Sequence, residues 1–517
     1  MKRSIIVGLI CLWGVSVLPA RGASVQPKRG GTITLATQND LVTMNPMVRT
    51  ASTERLMRML MFDSLLSSDL QGKVQPNLAE SWETSSDGKV YTFRLRKGVM
   101  FHNGKELSSE DVRFSMNYTL EPKNGAYGFS QLSLVERVEA PEKYLLRVYL
   151  KKPSAVLLSS LAGIQSFPVI PNGSLEAGPM KPTQFPPGTG PFRFVEWLPA
   201  QRVVFQRFEN HWGHKAYVDR LVIRPIADTT VRFTALQAGD VDIVERTPYE
   251  WMKQVVEGKV KGIGSVKAAT AGYRRLIFNL TQPPLNNKKL REAIAHAVDK
   301  KEMLDAAYMG FGEPTDQKYP KDNMWHVKGA RTYAQDLNKA RSLLKEADYK
   351  GEILEVLADR APFQSTEVTI LQSQLKKIGV AVKLNLVEWS AYRELQRKGN
   401  FHLMMYGGSI DPDPSLTYGP DFGCEQDLKS RSSNMPGYCN KEIDALLARA
   451  EVESDNKKRK ELFDRIIIKI SDDLPELPIG YVPRFYTFRD YVKGFTVNDE
   501  GEFQFYGGGL SHAWLDK

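Results

Sequence analysis

Three cysteines and seven histidines in 517 residues leave little material for a metal centre or a disulfide-rich scaffold. One cysteine, Cys11, falls inside an apolar run at the N-terminus, while Cys424 and Cys439 stand close together near the other end. No histidine lies between or just beyond that pair, so a zinc site is the weaker reading. In an oxidising compartment two such cysteines are read as a disulfide pinning a long loop rather than as free thiols. Catalytic and nucleotide-binding signatures are missing too: there is no G-x-x-x-x-G-K-[ST], no H-E-x-x-H and no G-x-S-x-G. His211 and His214 have the spacing of a helical metal pair, but "ENHWGHKAY" surrounds them with Gly213 and aromatics that mark a turn. No metal, no cofactor and no enzymatic activity are expected.

Long hydrophobic runs are absent with one exception. Ile5 to Leu18 is uncharged and mostly apolar, short of the ~18 residues or more that a membrane span requires. Lys2 and Arg3 precede it, Pro19 breaks it, and Ala20-Arg21-Gly22 supplies small residues at a cleavage site. Residues 1–22 therefore read as a secretory signal peptide, and Cys11, which follows Ile10 and not a small residue, makes a poor lipoprotein anchor. The chain is expected to be exported and soluble. Charge is nearly balanced, with 70 Lys and Arg against 60 Asp and Glu, a net of +10 that falls to +7 without the leader. The charges are interspersed, with only short clusters such as Lys457 to Lys460, which argues against a nucleic-acid-binding stripe.

A mature chain of nearly five hundred residues exceeds one ordinary core, so two or three domains are expected. Local patterns alternate between strand and helix. "TITLATQ" (32–38) is a short strand, and "YTFRLRKGV" (91–99) points Tyr91, Phe93 and Leu95 to one face. Ser108 with Asp111 makes a weak capping box before a helix. Residues 227–245 read as a capped helix stopped at Gly239, then a strand with Val241 and Ile243 alternating. Leu290, Ala293, Ile294, Ala297 and Val298 form the stripe of an amphipathic helix. Val368, Leu371, Leu375 and Ile378 form another, stopped by Gly379 and followed by the alternating strand Val380, Val382, Leu384, Leu386. Repeated units of this kind define an α/β or mixed α+β architecture. "GPMKPTQFPPGTGP" (178–191) is the best candidate boundary between two lobes. One segment resists this description. "YGGSIDPDPSLTYGPDFGCE" (406–425) carries Asp411, Asp413 and Asp421 among prolines and reads as too irregular for a helix or a strand.

The motifs resemble those of the extracytoplasmic solute-binding proteins of ABC importers, family 5, the peptide/nickel-binding group. "RGGTITLATQNDLVTMNP" (29–46), "QPNLAESWETSSDGKVYTFRLRKGVMFHNGKELSSEDVRFSM" (75–116), "GTGPFRFVEW" (188–197), "DTTVRFTALQAGDVDI" (228–243) and "FNLTQPPLNNKKLREAIAHAVDK" (278–300) occur in that family's order, and the match continues to 384. The resemblance implies a two-lobed periplasmic-binding-protein clamshell with an extra small domain in lobe one, a soluble monomer working in the periplasm. Lobe one would comprise 23–72, 190–282 and 485–517, with 73–189 as its extra subdomain; lobe two would be 283–484, with crossings near 282 and 484. The implied function is capture of short peptides between the lobes and delivery to a membrane permease. Nickel chelates, haem, opines and oligosaccharides are the alternative solutes. A secreted hydrolase is a rival for which no nucleophile and base stand out, and a structural or chaperone-like protein is a third reading.

The resemblance also gives the irregular segment a role. In this family the corresponding loop lines the cleft, and an aspartate there holds a peptide ammonium. Asp411 is the first choice and Asp413 the second, with Tyr406 at the position where tryptophan is usual and Gly407 beside it. Asn45 takes the acidic position of the first turn, and Arg360 in "LADRAPF" takes the place of the arginine that pairs with a dipeptide carboxylate. A zwitterion buried between lobes needs both ends neutralised, since an unpaired buried charge is costly.

Overall fold

The computed structural model describes residues 26–48, 52–68, 73–129, 131–163, 167–175, 185–408, 410, 413–424, 433–453, 455–498, 504–505 and 508–517. The expected leader, with Cys11, lies outside them.

Two strands organise the molecule: Ile263–Phe278 and Glu476–Arg489, of 16 and 14 residues, pair antiparallel along most of their length. On one side of them the sheet continues through Leu403–Gly408, Leu354–Asp359 and Val382–Val387. On the other it continues through Ile243–Val244, Thr32–Thr37, Arg220–Pro225, Arg202–Arg207 and Phe192–Leu198. Each wing has its own core. Ile33, Leu35, Phe192, Phe205, Ile223, Ala268 and Tyr486 share one, and Leu276, Phe278, Leu354, Val368, Leu403, Leu477 and Val482 share the other. A neighbouring cluster of Tyr273, Tyr481, Trp325 and Phe463 extends the second wing.

The cores change hands within the long strands, between Ala268 and Tyr273 on the way out and between Val482 and Tyr486 on the way back. The outward change lies upstream of 282. The ladder slips there, between Ala268 and Gly272. Gly272 allows the close approach, since a Cβ on it would stand 2.9 Å from the Val482 carbonyl oxygen. A sheet interrupted at the point where two cores meet can bend with little loss of packing.

A separate antiparallel sheet, in the order Ala79–Thr84, Val90–Leu95, Leu145–Leu150, Val135–Glu142, is covered by the helix Ser109–Leu120. Phe93, Leu95, Phe101, Val112, Met116 and Leu146 fill its core, with the alternation expected of Tyr91, Phe93 and Leu95. The capping box is present: the Ser108 amide donates to Asp111 Oδ2 at 2.8 Å. From this unit the chain returns through the Gly/Pro-rich stretch to Phe192–Leu198 of the large sheet. The stretch thus bounds the small unit against the first wing, and is not a boundary between the two wings. Its described part is tightly packed: a Cβ on Gly188 would lie 1.8 Å from the Met61 carbonyl oxygen. The small unit also reaches the second wing, where the Ala155 amide donates to the Glu451 carbonyl at 2.9 Å and Lys152 pairs with the Glu451 carboxylate at 2.8 Å.

Candidate functional site

Register shows which ends of the strands face the junction of the two wings. In the second wing Leu403–Gly408 runs antiparallel to the first long strand, and its last residue, Gly408, pairs with Tyr273, where that strand enters the wing. Leu354–Asp359 and Val382–Val387 run parallel to it, so all three carboxyl ends point toward the first wing. In the first wing Ile243 and Val244 pair with Phe488 and Thr487, and the next residues run back along the second long strand: Thr247 N–H donates to the Phe485 carbonyl at 2.9 Å. Thr32–Thr37 and Arg220–Pro225 are parallel to this short strand, directly or through each other. Both wings therefore present the carboxyl ends of their parallel strands to one crevice, the place where open α/β sheets bind ligands.

Arg360 and Trp389 stand at the carboxyl ends of neighbouring parallel strands, tied by a 2.9 Å hydrogen bond from the Arg360 amide to the Val387 carbonyl. The Arg360 side chain is 64% exposed and pairs, among the described residues, with Glu388, itself 70% exposed, at 3.1 Å. Trp389 is 53% exposed and stacks on Tyr392 with ring centroids 5.4 Å apart. Phe363, two residues into the next helix, is also exposed and lies over the Arg274 guanidinium at 5.6 Å.

Below this rim the charges are paired. Arg274 makes a bidentate ion pair with buried Glu367, which also accepts a 2.8 Å hydrogen bond from the Tyr308 hydroxyl. Burial opposes the Arg274 charge, but Glu367 beside it holds the guanidinium well above its ordinary pKa. Arg275 bridges Asp421 at 3.0 Å and Glu476 at 2.5 Å. Burial lifts the Glu476 carboxyl above the usual range despite Arg275. Gly407 lies against Arg274, whose Nη1 would be 2.0 Å from a Cβ there, and Tyr406 faces the Arg275 guanidinium at 5.3 Å. These two residues shape the strand end around buried ion pairs.

The acidic segment is partly ordered into structure, contrary to the expectation of an irregular loop. Ser415–Phe422 is a short helix, started by Asp413, whose Oδ1 accepts from the Ser415 amide at 2.9 Å. The local Asx turn outweighs the helix-breaking tendency of Pro420 in so short an element. Asp413 is buried and held by Arg459 at 2.6 and 2.7 Å. Asp411 lies outside the described residues. Asn45 is buried in the first wing, where its side-chain oxygen accepts from the Met47 amide at 2.9 Å. The disulfide between Cys424 and Cys439 is present. His211 and His214 do not converge as ligands: His211 Nδ1 lies 3.0 Å from the His214 carbonyl oxygen, and the His214 ring stacks on His512. Among the described residues no group of three or more His, Cys, Asp or Glu could hold a metal ion, and no helix is long and apolar enough to cross a membrane. Trp389 and Phe363 were not singled out from sequence. The signal available was their position, each just past a strand end in "LVEW" and "DRAPF".

Residues 73–428 match the family model of bacterial extracellular solute-binding proteins, family 5. Heme-binding protein A of Haemophilus influenzae is 31% identical over 464 residues, covering 84% of either chain. The dipeptide-binding protein of Escherichia coli is 29% identical over 463 residues, 84% of this chain and 85% of its own. Among solved structures, the binding protein AgaA of A. tumefaciens R10, in complex with agropinic acid, superimposes with a TM-score of 0.80 at 27% identity over 94% of this chain and 99% of its own. The chain belongs to the family 5 extracellular solute-binding proteins, and its fold is the two-lobed, mixed α/β clamshell of periplasmic binding proteins, with the small antiparallel sheet appended to the first lobe.

Proposed function

We propose that the protein is the periplasmic capture component of an ABC importer, that it holds short peptides between its lobes, and that it delivers them to a membrane permease without chemical change. The observation that carries this reading is the convergence of parallel-strand carboxyl ends from both lobes on one crevice, in a chain whose family binds solutes. Residues 283–484 would form most of the second lobe, and the signal peptide would be removed on export.

Within the crevice, Asp411 is assigned to the peptide ammonium. Asp413 is unsuited to that task because Arg459 already neutralises it. Arg360 is assigned to the peptide carboxylate, since its one partner among the described residues is the exposed Glu388. An arginine can hold a carboxylate with two parallel hydrogen bonds, and exchange of Glu388 for a ligand carboxylate in a drier, closed cleft strengthens the pairing. Trp389, Phe363 and Tyr406 supply apolar walls around a peptide backbone.

A second reading, another acid-bearing solute such as haem or an opine, is favoured by the haem-binding relative. One experiment addresses both readings and the hydrolase rival. The mature protein is incubated with a mixture of di- to pentapeptides, desalted, denatured, and its bound fraction read by mass spectrometry. Intact peptides should be retained. Recovery of a non-peptide solute favours the second reading, and cleavage products would establish a hydrolase.

A further inference from the structure

Arg484 sits on the second long strand where it passes from one core to the other, opposite Ala268 at the last pair before the ladder slips. Two hydrogen bonds fasten the carboxyl end of the short first-lobe strand alongside. Thr247 N–H donates to the Phe485 carbonyl and the Tyr249 hydroxyl to the Pro483 carbonyl, both at 2.9 Å. They set Arg246 next to Arg484, with Arg246 in the left-handed conformation at φ 53°. Arg55, on the helix Ser52–Met61, adds a third guanidinium within electrostatic range of Arg484.

Glu245 is bonded to Arg246 at 3.3 Å. Glu54, on the same helix as Arg55, accepts from the Val42 amide at 2.8 Å, and Arg58 donates to the Val48 carbonyl. The Arg484 side chain is half-buried, and among the described residues it makes no hydrogen bond and no ion pair. Burial and repulsion from Arg246 and Arg55 hold its pKa below the usual arginine value, against the pull of Tyr486 and Glu245. The other arginines at the junction behave differently: Arg274, Arg275 and Arg459 each close on a carboxylate.

A half-buried guanidinium beside a second cation, with no carboxylate bonded to it among the described residues, is unfavourable in the empty protein. The geometry points to an anion subsite at the hinge, in which Arg484, beside Arg246, receives a carboxylate of the bound solute. It is distinct from Arg360, because it stands on the first-lobe side of the crevice and on a strand that links the lobes. The inference rests on the reading of a solute-binding crevice and adds that the solute carries a second acid group there, an acidic side chain in a peptide whose C-terminus Arg360 holds.

Calorimetry on the mature protein and on Arg484→Met and Arg484→Lys tests this with four peptides: Ala-Glu, Ala-Gln, Ala-Ala and Ala-Ala-amide. If an acidic side chain fills the subsite, wild type prefers Ala-Glu to Ala-Gln by about tenfold or more. The preference for Ala-Ala over its amide belongs to Arg360 and should survive in Arg484→Met. Arg484→Met should abolish the preference for Ala-Glu over Ala-Gln, and Arg484→Lys should keep part of it. The melting temperature of ligand-free Arg484→Met should equal or exceed that of wild type, as it would not if Arg484 served only the fold. A wild type that binds these peptides with no preference for Ala-Glu over Ala-Gln, or a glutamate preference that survives in Arg484→Met, overturns the inference. A wild type that binds none of them overturns the peptide reading instead. Glutarate then decides the subsite by thermal shift: stabilisation lost in Arg484→Met supports it, and no stabilisation, or an equal one in both proteins, refutes it.

Discussion

Arg459 closes its two terminal nitrogens on the two carboxylate oxygens of Asp413, at 2.7 and 2.6 Å, with both side chains buried. Arg459 also donates from Nε to the Ala450 carbonyl, and its guanidinium lies over Trp325 and Phe463. The pair anchors the acidic segment to the second lobe. Asp413→Asn would leave that arginine buried without its charge partner, which typically costs about 3–5 kcal/mol. Urea denaturation should show an unfolding free energy lower by that amount, while peptide affinity at low temperature stays within about twofold of wild type. A large affinity loss at unchanged stability would mean that Asp413, and not Asp411, contacts the ligand.

The assignment of peptide ends predicts a crossed pattern of losses. Arg360→Ala should weaken free-acid dipeptides more than amidated ones, and Asp411→Asn should weaken free-amine peptides more than acetylated ones. Each loss is expected at about 2 kcal/mol or more, chiefly through faster dissociation. Arg360 pairs with Glu388 where both side chains are exposed, so its substitution should leave the melting temperature unchanged. Equal losses for blocked and unblocked peptides would remove both residues from the site.

The disulfide joins the end of the Ser415–Phe422 helix to the residue before Asn440, which caps the helix Lys441–Val452. It closes a loop of 15 residues, for which the chain-entropy model gives roughly 3 kcal/mol. The Cys424→Ser, Cys439→Ser double variant should lose about that much stability, and thiol titration of unfolded, unreduced wild type should find no free cysteine in the mature chain. Two reactive thiols would contradict the pairing.

Acid should destabilise the protein through His102. Burial pulls its pKa from 6.5 to about 4, outweighing the Gly190 carbonyl, 3.0 Å away, that favours the protonated ring. The unfolded chain therefore takes up this proton first. The histidine's contribution is fully present above pH 6.5 and is lost as pH falls from there toward 4. Asp111 acts in the same direction at lower pH: burial alone would raise its pKa, but bonds from Lys105, Asn172 and Ser108 hold it below the usual range. His102→Gln, which can still reach the Gly190 carbonyl, should remove roughly 2 kcal/mol of the stability lost between pH 7 and pH 4. An unchanged pH profile would mean that the ring is not buried in its neutral form.

Much of the fold could be read directly. The helix Pro362–Lys376 and the strand after it follow from a stripe, a stop and an alternation, and Gly379 adopts the left-handed φ of 86° that ends such a helix. The change of core between Ala268 and Tyr273 is hidden from the sequence because 263–278 is one unbroken β-rich run, and a backbone slip near Gly272 marks it. The acidic segment could be located but not interpreted: the partner of Asp413 is 46 positions away on another helix, and no local pattern announces it. Arg484 in "YVPRFYTF" reads like any strand arginine until the neighbouring strands place Arg246 against it.

Closure of the two lobes on a peptide is the central claim. The lobes already touch in this structure through Lys152 and Glu451, on the side chains' 2.8 Å pair and the 2.9 Å backbone bond from Ala155. Ligand-free protein should spend much of its time with that contact open, because only differential affinity of the ligand for the closed form favours it. Small-angle X-ray scattering of the mature protein, stripped of solute and then saturated with a peptide whose binding has been verified, tests this directly. The account predicts a smaller radius of gyration with peptide than without it. A radius unchanged on verified binding would contradict capture by closure of the lobes.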